Sequence, residues 1–404
     1  MFLLNGKRIL LGVTGSIAAY KAADLASRLT QQGAQVDVIL SGGAQKFVTA
    51  LTFQSVTGRK AYTDADLWGG EAHVLHVGLG HTADLLVIAP CTANTLAKLA
   101  HGLSDTLLTV TALAATGPVL IAPAMDGGMY EAAATQENVR ILKERGVIFV
   151  GPAQGHLASG MTGIGRMVDP AEILGHMRLA LARNGKLAGK RLVVTAGGTQ
   201  EPIDPVRYLT NRSSGRQGYA LAQAGLDAGA QVTLVTHPTG LTPPVGADVV
   251  EARTTQEMLD GVLTACENAD GLIMAAAVAD FRVKRVAEHK LKKQDGIPQI
   301  ELEAAPDVLG AVAKMRVDLK RLKVVVGFAA ESRDLVENAA AKLTSKKLDF
   351  IAANDISAAD AGFAVETNRI TLLYVDGRRE SLPLMGKDEV AEAIIERVTV
   401  LLEK

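Results

Sequence analysis

The sequence predicts an α/β fold made of two doubly wound, Rossmann-like domains whose sheets are mostly parallel. Short apolar runs rich in Val, Ile and Leu alternate with longer amphipathic segments along the whole chain, which is typical of alternating strands and helices. Ala and Gly are abundant and aromatic residues make up only 4% of the chain, as in tightly packed parallel layers. A length of 404 residues is enough for two such domains.

Charge and apolar patterning exclude several classes of protein. The formal net charge is −1, so we expect no sequence-independent attraction to nucleic acid or to an anionic membrane. No apolar run approaches the ~20 residues needed to span a bilayer. Lys7 and Arg8 directly follow a short apolar start, which is the wrong order for a signal peptide. Since two cysteines cannot make a disulfide framework, we predict a cytoplasmic protein without nucleic-acid or membrane partners.

The first half opens with a strand, a glycine turn, a helix and a second strand. Residues 8–13 are predicted as a buried strand, a helix follows to about Gln31, and residues 36–40 form the next strand. The turn at Gly15 predicts a phosphate at the helix N-terminus, although a glycine there is as often a packing residue. Further strands are predicted at residues 85–89, 118–122 and 147–150, giving about five parallel strands.

A polar, glycine-containing stretch at residues 184–190 predicts the domain boundary, which separates domain 1–186 from domain 187–404.

The second domain begins with a strand at 192–195, and roughly fifteen residues separate that strand from the next helix. Loops of this length inside compact domains are usually functional; the plainer interpretation is an ordinary connection capped by Asn211 or Ser213. Later strands are predicted at 232–235, 323–328 and 350–355, and residues 271–278 are predicted as a strand that runs into a small-residue turn. A hairpin with a type I′ turn at Asp376-Gly377 and a closing amphipathic helix complete the domain.

Several motifs carry a resemblance to a known family. Residues 195–218 read TAGGTQEPIDPVRYLTNRSSGRQG, and AAAVADF, KLKK, GFAAES and AANDI follow in order. This set resembles the phosphopantothenate–cysteine ligase half of the bifunctional coenzyme A biosynthesis family. Upstream, GVTGSIAAYK and APAMDGGMY resemble the flavin-containing cysteine decarboxylases, so the resemblance covers nearly the whole chain.

For the first half, the resemblance implies an FMN cofactor and the decarboxylation of a C-terminal cysteine. The chemistry is an oxidative decarboxylation followed by reduction and protonation, with His76 at the position of the family's base. Asp126 and Ser159 stand at the positions of its carboxylate-binding amide and its proton donor. The residues expected near the flavin are Gly15, Ser16, Ser41, Pro90, Thr92 and Asn94.

Two of these positions depart from the family pattern. Asp126 replaces an Asn, and an ionised Asp would repel a substrate carboxylate; Ser159 replaces a Cys, whose thiol is a far stronger acid. Three hypotheses therefore stay open: a full bifunctional enzyme, a ligase with an impaired or altered flavin domain, and a non-catalytic flavin-binding regulatory protein. A dinucleotide oxidoreductase is a weaker fourth, since neither glycine turn has the GxGxxG spacing. Cys91 is either a relocated acid or, as is commoner, a small buried hydrophobe.

For the second half, the resemblance implies ligation of 4′-phosphopantothenate with cysteine, driven by CTP through an acyl-cytidylate. It makes Lys290 the catalytic lysine, and Arg207 and Asn211 the groups that polarise the acyl carbonyl or hold the intermediate. Mg²⁺ is expected to arrive with CTP, its ligands unknown. It also implies a homo-oligomer, with trimers of flavin domains and dimers of ligase domains. By residue type alone, an alanine run more often serves tight packing than ligand binding, and lysines more often belong to a solvated surface than to a binding site. The expected nucleotide contacts are Met274, Ala275, Ala276, Asp280, Lys290, Pro306, Asp307, Val308, Leu309, Phe328, Lys342 and Lys346.

Overall fold

The computed structural model describes residues 3–68, 74–158, 160–319, 321–331, 334–355 and 367–403. The chain divides into two compact units, which we call the first unit (Phe2–Leu181) and the second unit (Ala182–Lys404). Both have helices packed on a largely parallel sheet, which confirms the predicted fold class. In the part of the chain that is described, no helix is long and apolar enough to cross a membrane.

The sheet of the first unit has six strands, all parallel, with the spatial order third, second, first, fourth, fifth, sixth. The sequence predicts about five; the additional one is the three-residue edge strand β3. The strands are β1 (Arg8–Val13), β2 (Gln35–Leu40), β3 (Ala61–Thr63), β4 (Leu85–Cys91), β5 (Val119–Pro123) and β6 (Ile148–Phe149).

Helices cover both faces of this sheet, and an apolar core lies on each side. In the first helix Ala22, Leu25 and Leu29 recur at helical spacing and are fully buried. An antiparallel ribbon of β7 (Ala153–His156) and β8 (Thr162–Arg166) follows the sheet. The helices are α1 (Ala19–Gln31), α2 (Ala50–Thr57), α3 (Leu75–Thr82), α4 (Ala93–His101), α5 (Leu107–Ala114), α6 (Gly127–Glu131), α7 (Ala133–Glu144) and α8 (Pro170–Ala182).

The main sheet of the second unit has eight strands. From one edge to the other they are β13 (Ala247–Glu251), β12 (Gln231–Thr236), β9 (Arg191–Ala196), β14 (Gly271–Met274), β17 (Val324–Glu331), β18 (Phe350–Asp355), β20 (Ile370–Tyr374) and β21 (Arg379–Ser381). The first six are parallel, while β20 and β21 pair in antiparallel fashion. The ligand-binding edge of such a sheet is the one formed by the carboxyl ends of its parallel strands.

Among the described residues of the second unit, three short antiparallel ribbons and five helices accompany the main sheet. The ribbons are β10 (Gln200–Pro202) with β11 (Tyr208–Thr210), β15 (Phe281–Val283) with β16 (Leu302–Ala304), and β19 (Thr367–Asn368) with β22 (Met385–Gly386). The helices are α9 (Arg216–Asp227), α10 (Thr255–Cys266), α11 (Val308–Met315), α12 (Leu335–Ser345) and α13 (Lys387–Leu402). The predicted long loop after β9 therefore contains a hairpin.

One predicted turn is wrong. A type I′ turn needs a positive φ at both central residues, and in the described chain Asp376 is not among the non-glycine residues with positive φ. Gly377 alone is left-handed (φ 83°), and its N–H donates to the carbonyl of Tyr374 at 3.0 Å. The hairpin thus closes with a turn followed by a left-handed glycine. Non-glycine residues rarely adopt a positive φ, and the carboxylate of Asp376 accepts from the N–H of Arg378 at 3.0 Å.

Candidate active sites

Thr14 joins the carboxyl ends of β1 and β4, the two central strands of the first unit, by hydrogen bonds. Its buried hydroxyl donates to the carbonyl of Pro90 at 2.7 Å and accepts from the N–H of Thr92 at 3.0 Å. The N–H of Thr14 donates to the same carbonyl at 3.2 Å. The loops after β1 and β4 are thereby held in register, which fixes where α4 begins.

The loops after β1 and β2 meet backbone to backbone. A Cβ on Gly15 would lie 3.0 Å from the Cα of Gly43, so neither position has room for a side chain. Ser41 shapes the second loop: its N–H donates to Val13 at 3.0 Å, and its hydroxyl accepts from the N–H of Ala44 at 3.2 Å.

A cavity of about 440 Å³ opens beside this contact. Gly15, Ser41, Thr92 and Asn94, all predicted flavin neighbours, line it. Pro90 does not line it; its carbonyl accepts a hydrogen bond from Thr14. Ser16 lines the neighbouring cavity instead. The described lining contains hydroxyls, an amide and the cation Lys98, but no carboxylate. Such a surface favours an anionic group.

The neighbouring cavity, of about 360 Å³, brings Asp126 together with Lys21, His156 and Arg166. Asp126 is the N-cap of α6, where its carboxylate accepts from the N–H of Gly128 at 3.0 Å. The cations Lys21 and Arg166 on the same cavity offset its charge. Lys21 and Arg166 also reach Asp169, at 2.7 and 3.3 Å, and the Lys21 hydrogen bond lowers the pKa of that carboxyl.

Gly165 is required where β8 passes Asp126. Its φ is 146°, and a Cβ would lie 2.3 Å from the carbonyl oxygen of Met125. The carbonyl of Gly165 accepts from the N–H of Met125 at 3.0 Å. The β7–β8 ribbon is therefore tied to the strand end that carries Asp126.

Three other candidates of the first unit lie elsewhere. His76 is half-buried on α3 and lines neither cavity. Cys91 is fully buried among apolar side chains, and burial raises the pKa of its thiol; it also lines neither cavity, which favours the small-hydrophobe interpretation. Ser159 lies outside the described residues.

In the second unit, one cavity of about 910 Å³ lies at the carboxyl ends of the parallel strands. Apart from Arg207 and Lys290, every residue that the sequence predicts for nucleotide or acyl-group binding lines it. These are Asn211, Met274, Ala275, Ala276, Asp280, Pro306, Asp307, Val308, Leu309, Phe328, Lys342 and Lys346.

The N-terminus of α9 faces this cavity. Gly215 is its left-handed N-cap and provides no side-chain cap, while Arg216, Gln217 and Gly218 of the first turn line the cavity. A Cβ on Gly218 would lie 2.5 Å from the Cβ of Ala196 and 2.7 Å from the carbonyl of Thr195, so the helix packs directly on the end of β9. Uncapped N–H groups at such a place form an anion site.

Two threonines of the second unit hold the segment after β14 in place. The hydroxyl of Thr195 accepts from the N–H of Ala276 at 2.9 Å, and that of Thr199 accepts from the N–H of Ala279 at 2.9 Å. Asn211 holds the same segment, since its amide donates to the carbonyls of Ala277 and Val278 at 3.3 and 3.1 Å. The alanine run is thus a fixed backbone surface on the cavity.

The lysines of the cavity are already partnered. Lys342 donates to the carbonyl of Phe328 at 2.8 Å, and Lys346 forms an ion pair with Asp307. Burial alone would raise the pKa of Asp307, but the hydrogen bonds from Lys346 and from the N–H of Gly310 lower it. An anion that binds Lys346 must therefore compete with a carboxylate.

A chain of side-chain amides lines part of the cavity and ends at a backbone carbonyl. Its members are Gln217, Asn354, Asn368 and the carbonyl of Lys387. The carbonyl of Lys387 can only accept, and Gln217 donates to it at 3.1 Å. Gln217 then accepts from Asn368 at 2.8 Å, and Asn368 accepts from Asn354 at 3.3 Å. This anchor fixes the orientation of all three amides. It leaves Oδ1 of Asn354 as the one buried side-chain oxygen or nitrogen without a partner in the described chain.

Arg207 and Lys290 do not line the cavity, but Arg207 contacts the residue that follows Lys290 in the chain. Arg207, at the tip of the β10–β11 hairpin, contacts Asp204 at 3.1 Å and the carbonyl of Leu291 at 3.1 Å. Lys290 is exposed in the segment between β15 and β16. Within the described residues no cluster of three or more metal-ligating side chains occurs.

Sequence reasoning missed the threonines and the amide chain. Thr14 and Thr195 each stand at or just after the end of a buried apolar strand, and a hydroxyl at that place is a signal for a loop-fixing hydrogen bond. Gln217 and Asn368 gave no such signal, because their contact joins residues far apart in sequence.

Comparisons with known proteins find two family matches, one in each half of the chain. The flavoprotein family matches residues 3–179, and the DNA/pantothenate metabolism flavoprotein C-terminal domain matches residues 187–401. The coenzyme A biosynthesis bifunctional protein CoaBC of Bacillus subtilis (strain 168) is 42% identical over 402 residues, which cover 99% of this chain and 98% of the relative. The protein of the same name from Mycobacterium tuberculosis (strain ATCC 25618 / H37Rv) is 42% identical over 408 residues, 98% of this chain and 97% of the relative. The crystal structure of the C-terminal domain of a protein of that name covers 55% of this chain and 99% of its own, at 39% identity and a TM-score of 0.47.

Proposed function

The chain belongs to the family of bifunctional coenzyme A biosynthesis proteins, and we propose that it catalyses two consecutive reactions. In residues 187–404, 4′-phosphopantothenate is ligated to cysteine with CTP; in residues 1–186, the product is decarboxylated to 4′-phosphopantetheine with FMN. The observation that carries this proposal is the 910 Å³ cavity, lined by the residues that the family pattern associates with the cytidine nucleotide, Lys290 excepted.

The ligase reaction balances in two steps. The carboxylate of 4′-phosphopantothenate attacks the α-phosphorus of CTP and expels pyrophosphate; the amine of cysteine then attacks the acyl carbonyl, releases CMP and loses a proton. The first step needs mainly positioning and positive charge. The N-terminus of α9, Lys342 and Lys346 supply that charge at the cavity, and Lys290 adds to it from the adjoining segment. Asn211 helps to hold the activated intermediate, because its amide fixes the backbone of Ala277 and Val278 on the cavity, and Asp280 contacts the nucleotide.

The residues of the first unit fit a flavin phosphate. The Gly15–Gly43 contact keeps the loops free of side chains, and Thr92 and Asn94 bring hydroxyl and amide groups to the same cavity. FMN, when bound, supplies the oxidation of the cysteine moiety and the later return of the electron pair. The adjoining cavity would take the substrate, with Lys21 and Arg166 offsetting the charge of Asp126 beside its carboxylate.

The remaining parts of the proposal concern assembly and setting. We infer a cytoplasmic homo-oligomer with trimers of flavin domains and dimers of ligase domains, and Mg²⁺ that enters with CTP. Because His76 lines neither cavity of its own unit, an oligomer in which it faces the cavity of a second copy is the arrangement that would let it act as base.

The proposal is tested by incubating the chain with 4′-phosphopantothenate, cysteine, CTP and Mg²⁺, followed by mass analysis and a pyrophosphate assay. We expect CTP-dependent pyrophosphate release, with a higher kcat/KM for CTP than for ATP, and a yellow protein that releases FMN on denaturation. Absence of pyrophosphate release contradicts the ligase assignment. Release without any 4′-phosphopantetheine favours the alternative of a ligase with an impaired flavin domain, and flavin binding without either product favours a regulatory protein.

A further inference from the structure

The tip of the β10–β11 hairpin holds the backbone of Leu291 at two points. The carboxylate of Asp204 accepts from the N–H of Leu291 at 3.1 Å, and the guanidinium of Arg207 donates to the carbonyl of Leu291 at 3.1 Å. A third hydrogen bond runs close by, from the N–H of Ala287 to the carbonyl of Ile203 at 3.0 Å. We call Asp204 and Arg207 together the Leu291 clamp.

The clamp is itself rigid. The side chain of Asp204 is 0% exposed, and it also accepts from the N–H groups of Val206 and Arg207, both at 2.8 Å. Arg207 bonds to the same carboxylate at 3.1 Å. Burial by itself would raise the pKa of Asp204, but the N–H groups of Val206, Leu291 and Arg207 and the Arg207 charge lower it, so the clamp is fully charged at neutral pH.

The clamp connects the two most specific parts of the ligase pattern. Leu291 directly follows Lys290, and Asn211 directly follows β11 on the same hairpin. One end of the hairpin thus leads to the cavity, while the other end restrains the segment that carries the lysine. An exposed lysine on an unrestrained segment would spend most of its time far from any one phosphate.

We propose that Asp204 and Arg207 are positioning residues, which act on the ligation through Lys290 by fixing the peptide of Leu291. This inference rests on the proposed ligase function. It also gives Arg207 a role different from the one that the family pattern implies, since Arg207 reaches the backbone of Leu291 and does not line the cavity.

The test is a double-mutant cycle in the full chain, with the single-turnover rate of pyrophosphate release from CTP as readout. We expect Asp204→Asn and Arg207→Lys each to lower this rate by about ten- to a hundredfold, because misplacing a reacting group by about 1 Å has effects of that size. In a Lys290→Gln background the same substitutions should have no further effect. Equal losses in both backgrounds would show a merely structural role and overturn the proposal, as would a Lys290→Gln variant with the wild-type rate.

A second readout does not depend on activity. Hydrogen exchange at the amide of Leu291 should speed up at least tenfold in Asp204→Asn and Arg207→Lys, while exchange in the strands of the main sheet stays unchanged. Glu303→Gln is the matched control: it removes an ion pair with Arg282 on the β15–β16 ribbon without touching the clamp, and should leave exchange and rate as in wild type. Unchanged exchange at Leu291 in the clamp variants overturns the proposal even if the ligase is active. A different result is also informative: exchange at Leu291 speeds up in the clamp variants, but the wild-type protein releases no pyrophosphate. The contact then exists, but the proposed ligase function is contradicted, and so is any role of the contact in catalysis.

Discussion

At the scale of single residues, Asn211 and Lys290 show how differently the fold treats two residues of the same proposed site. The amide nitrogen of Asn211 is bound to two backbone carbonyls, so its orientation is set before any substrate arrives. Lys290 is exposed and depends on its neighbour Leu291 for its position. A group that is already oriented need not reorganise when the activated intermediate forms, and holding that intermediate is the role proposed for Asn211.

We expect Asn211→Ala to lower the rate of ligation by about 10²–10³, the usual effect of removing one group that stabilises developing charge. The stability change should stay near about 1 kcal/mol, because the residue is exposed and water can bind the two released carbonyls. Formation of the phosphopantothenate–cysteine amide, followed by mass analysis, and a thermal melt measure the two quantities. A large fall in melting temperature would show that the loss is structural, and a wild-type rate would contradict the role.

At the scale of elements, buried strands were predicted well and short ribbons were not. The bounds of β1 and β18 match the predicted 8–13 and 350–355, because a strand buried on both faces is a continuous apolar run. The hairpin β10–β11 was missed, since it is held by the buried carboxylate of Asp204 and not by an apolar pattern. The edge strand β3, only three residues long, carries too little pattern to be found.

Helix α3 offers a matched pair of glycines. A Cβ at Gly80 would lie 2.9 to 3.0 Å from backbone atoms of Ala114 and Thr111 in α5, whereas a Cβ at Gly78 meets nothing within 4 Å. We expect Gly80→Ala to destabilise the protein by about 1–3 kcal/mol, because α5 must move. Gly78→Ala should stabilise it by about 0.5–1 kcal/mol through helix propensity. Thermal unfolding of both variants tests this, and equal shifts would contradict the close packing of α3 on α5.

At the scale of the whole molecule, each unit has its own sheet, its own core and its own cavities. The position of the large cavity followed in part from the sequence, because Met274 to Ala276 stand at or just beyond the carboxyl end of β14 and Phe328 stands in the carboxyl-terminal half of β17. Lys342 and Lys346, by contrast, lie at the end of α12. The partners of Thr14 and Thr195 could not be predicted, since each bond joins residues 76 or 81 positions apart, and the amide chain depends on contacts 151 and 170 positions apart. Pattern reasoning finds strand ends, whereas long-range polar contacts require coordinates.

We expect residues 187–404, produced alone, to release pyrophosphate from CTP at a rate close to that of the full chain. The reason is that a unit with its own core can fold independently. Steady-state kinetics of the two proteins, with a melting curve of the fragment, provide the measurement. A folded fragment without activity would mean that the ligase site needs the first unit, and would contradict the proposed boundary of function at residue 187.

The last prediction concerns the rate of decarboxylation relative to the rate of ligation. Asp126 shares its cavity with Lys21 and Arg166, but its carboxylate is already the N-cap of α6, a task that an Asn performs equally well. Asp126→Asn should therefore preserve the helix while removing a charge beside the substrate carboxylate. Together with Ser159→Cys, outside the described residues, it should raise the rate at which the full chain forms 4′-phosphopantetheine and lower the accumulation of the ligated intermediate. Mass analysis during turnover follows both species.

If wild type already matches the double variant, the flavin half is not impaired, and the proton has another source. Cys91→Ser should then leave the rate unchanged, because the buried thiol, its pKa raised by burial, lines neither cavity. Tyr20 and His156 line the cavity of Asp126 and carry exchangeable protons, so Tyr20→Phe and His156→Gln distinguish them. A lower rate in only one of these variants identifies the donor, and unchanged rates in both leave water or another side chain as the acid.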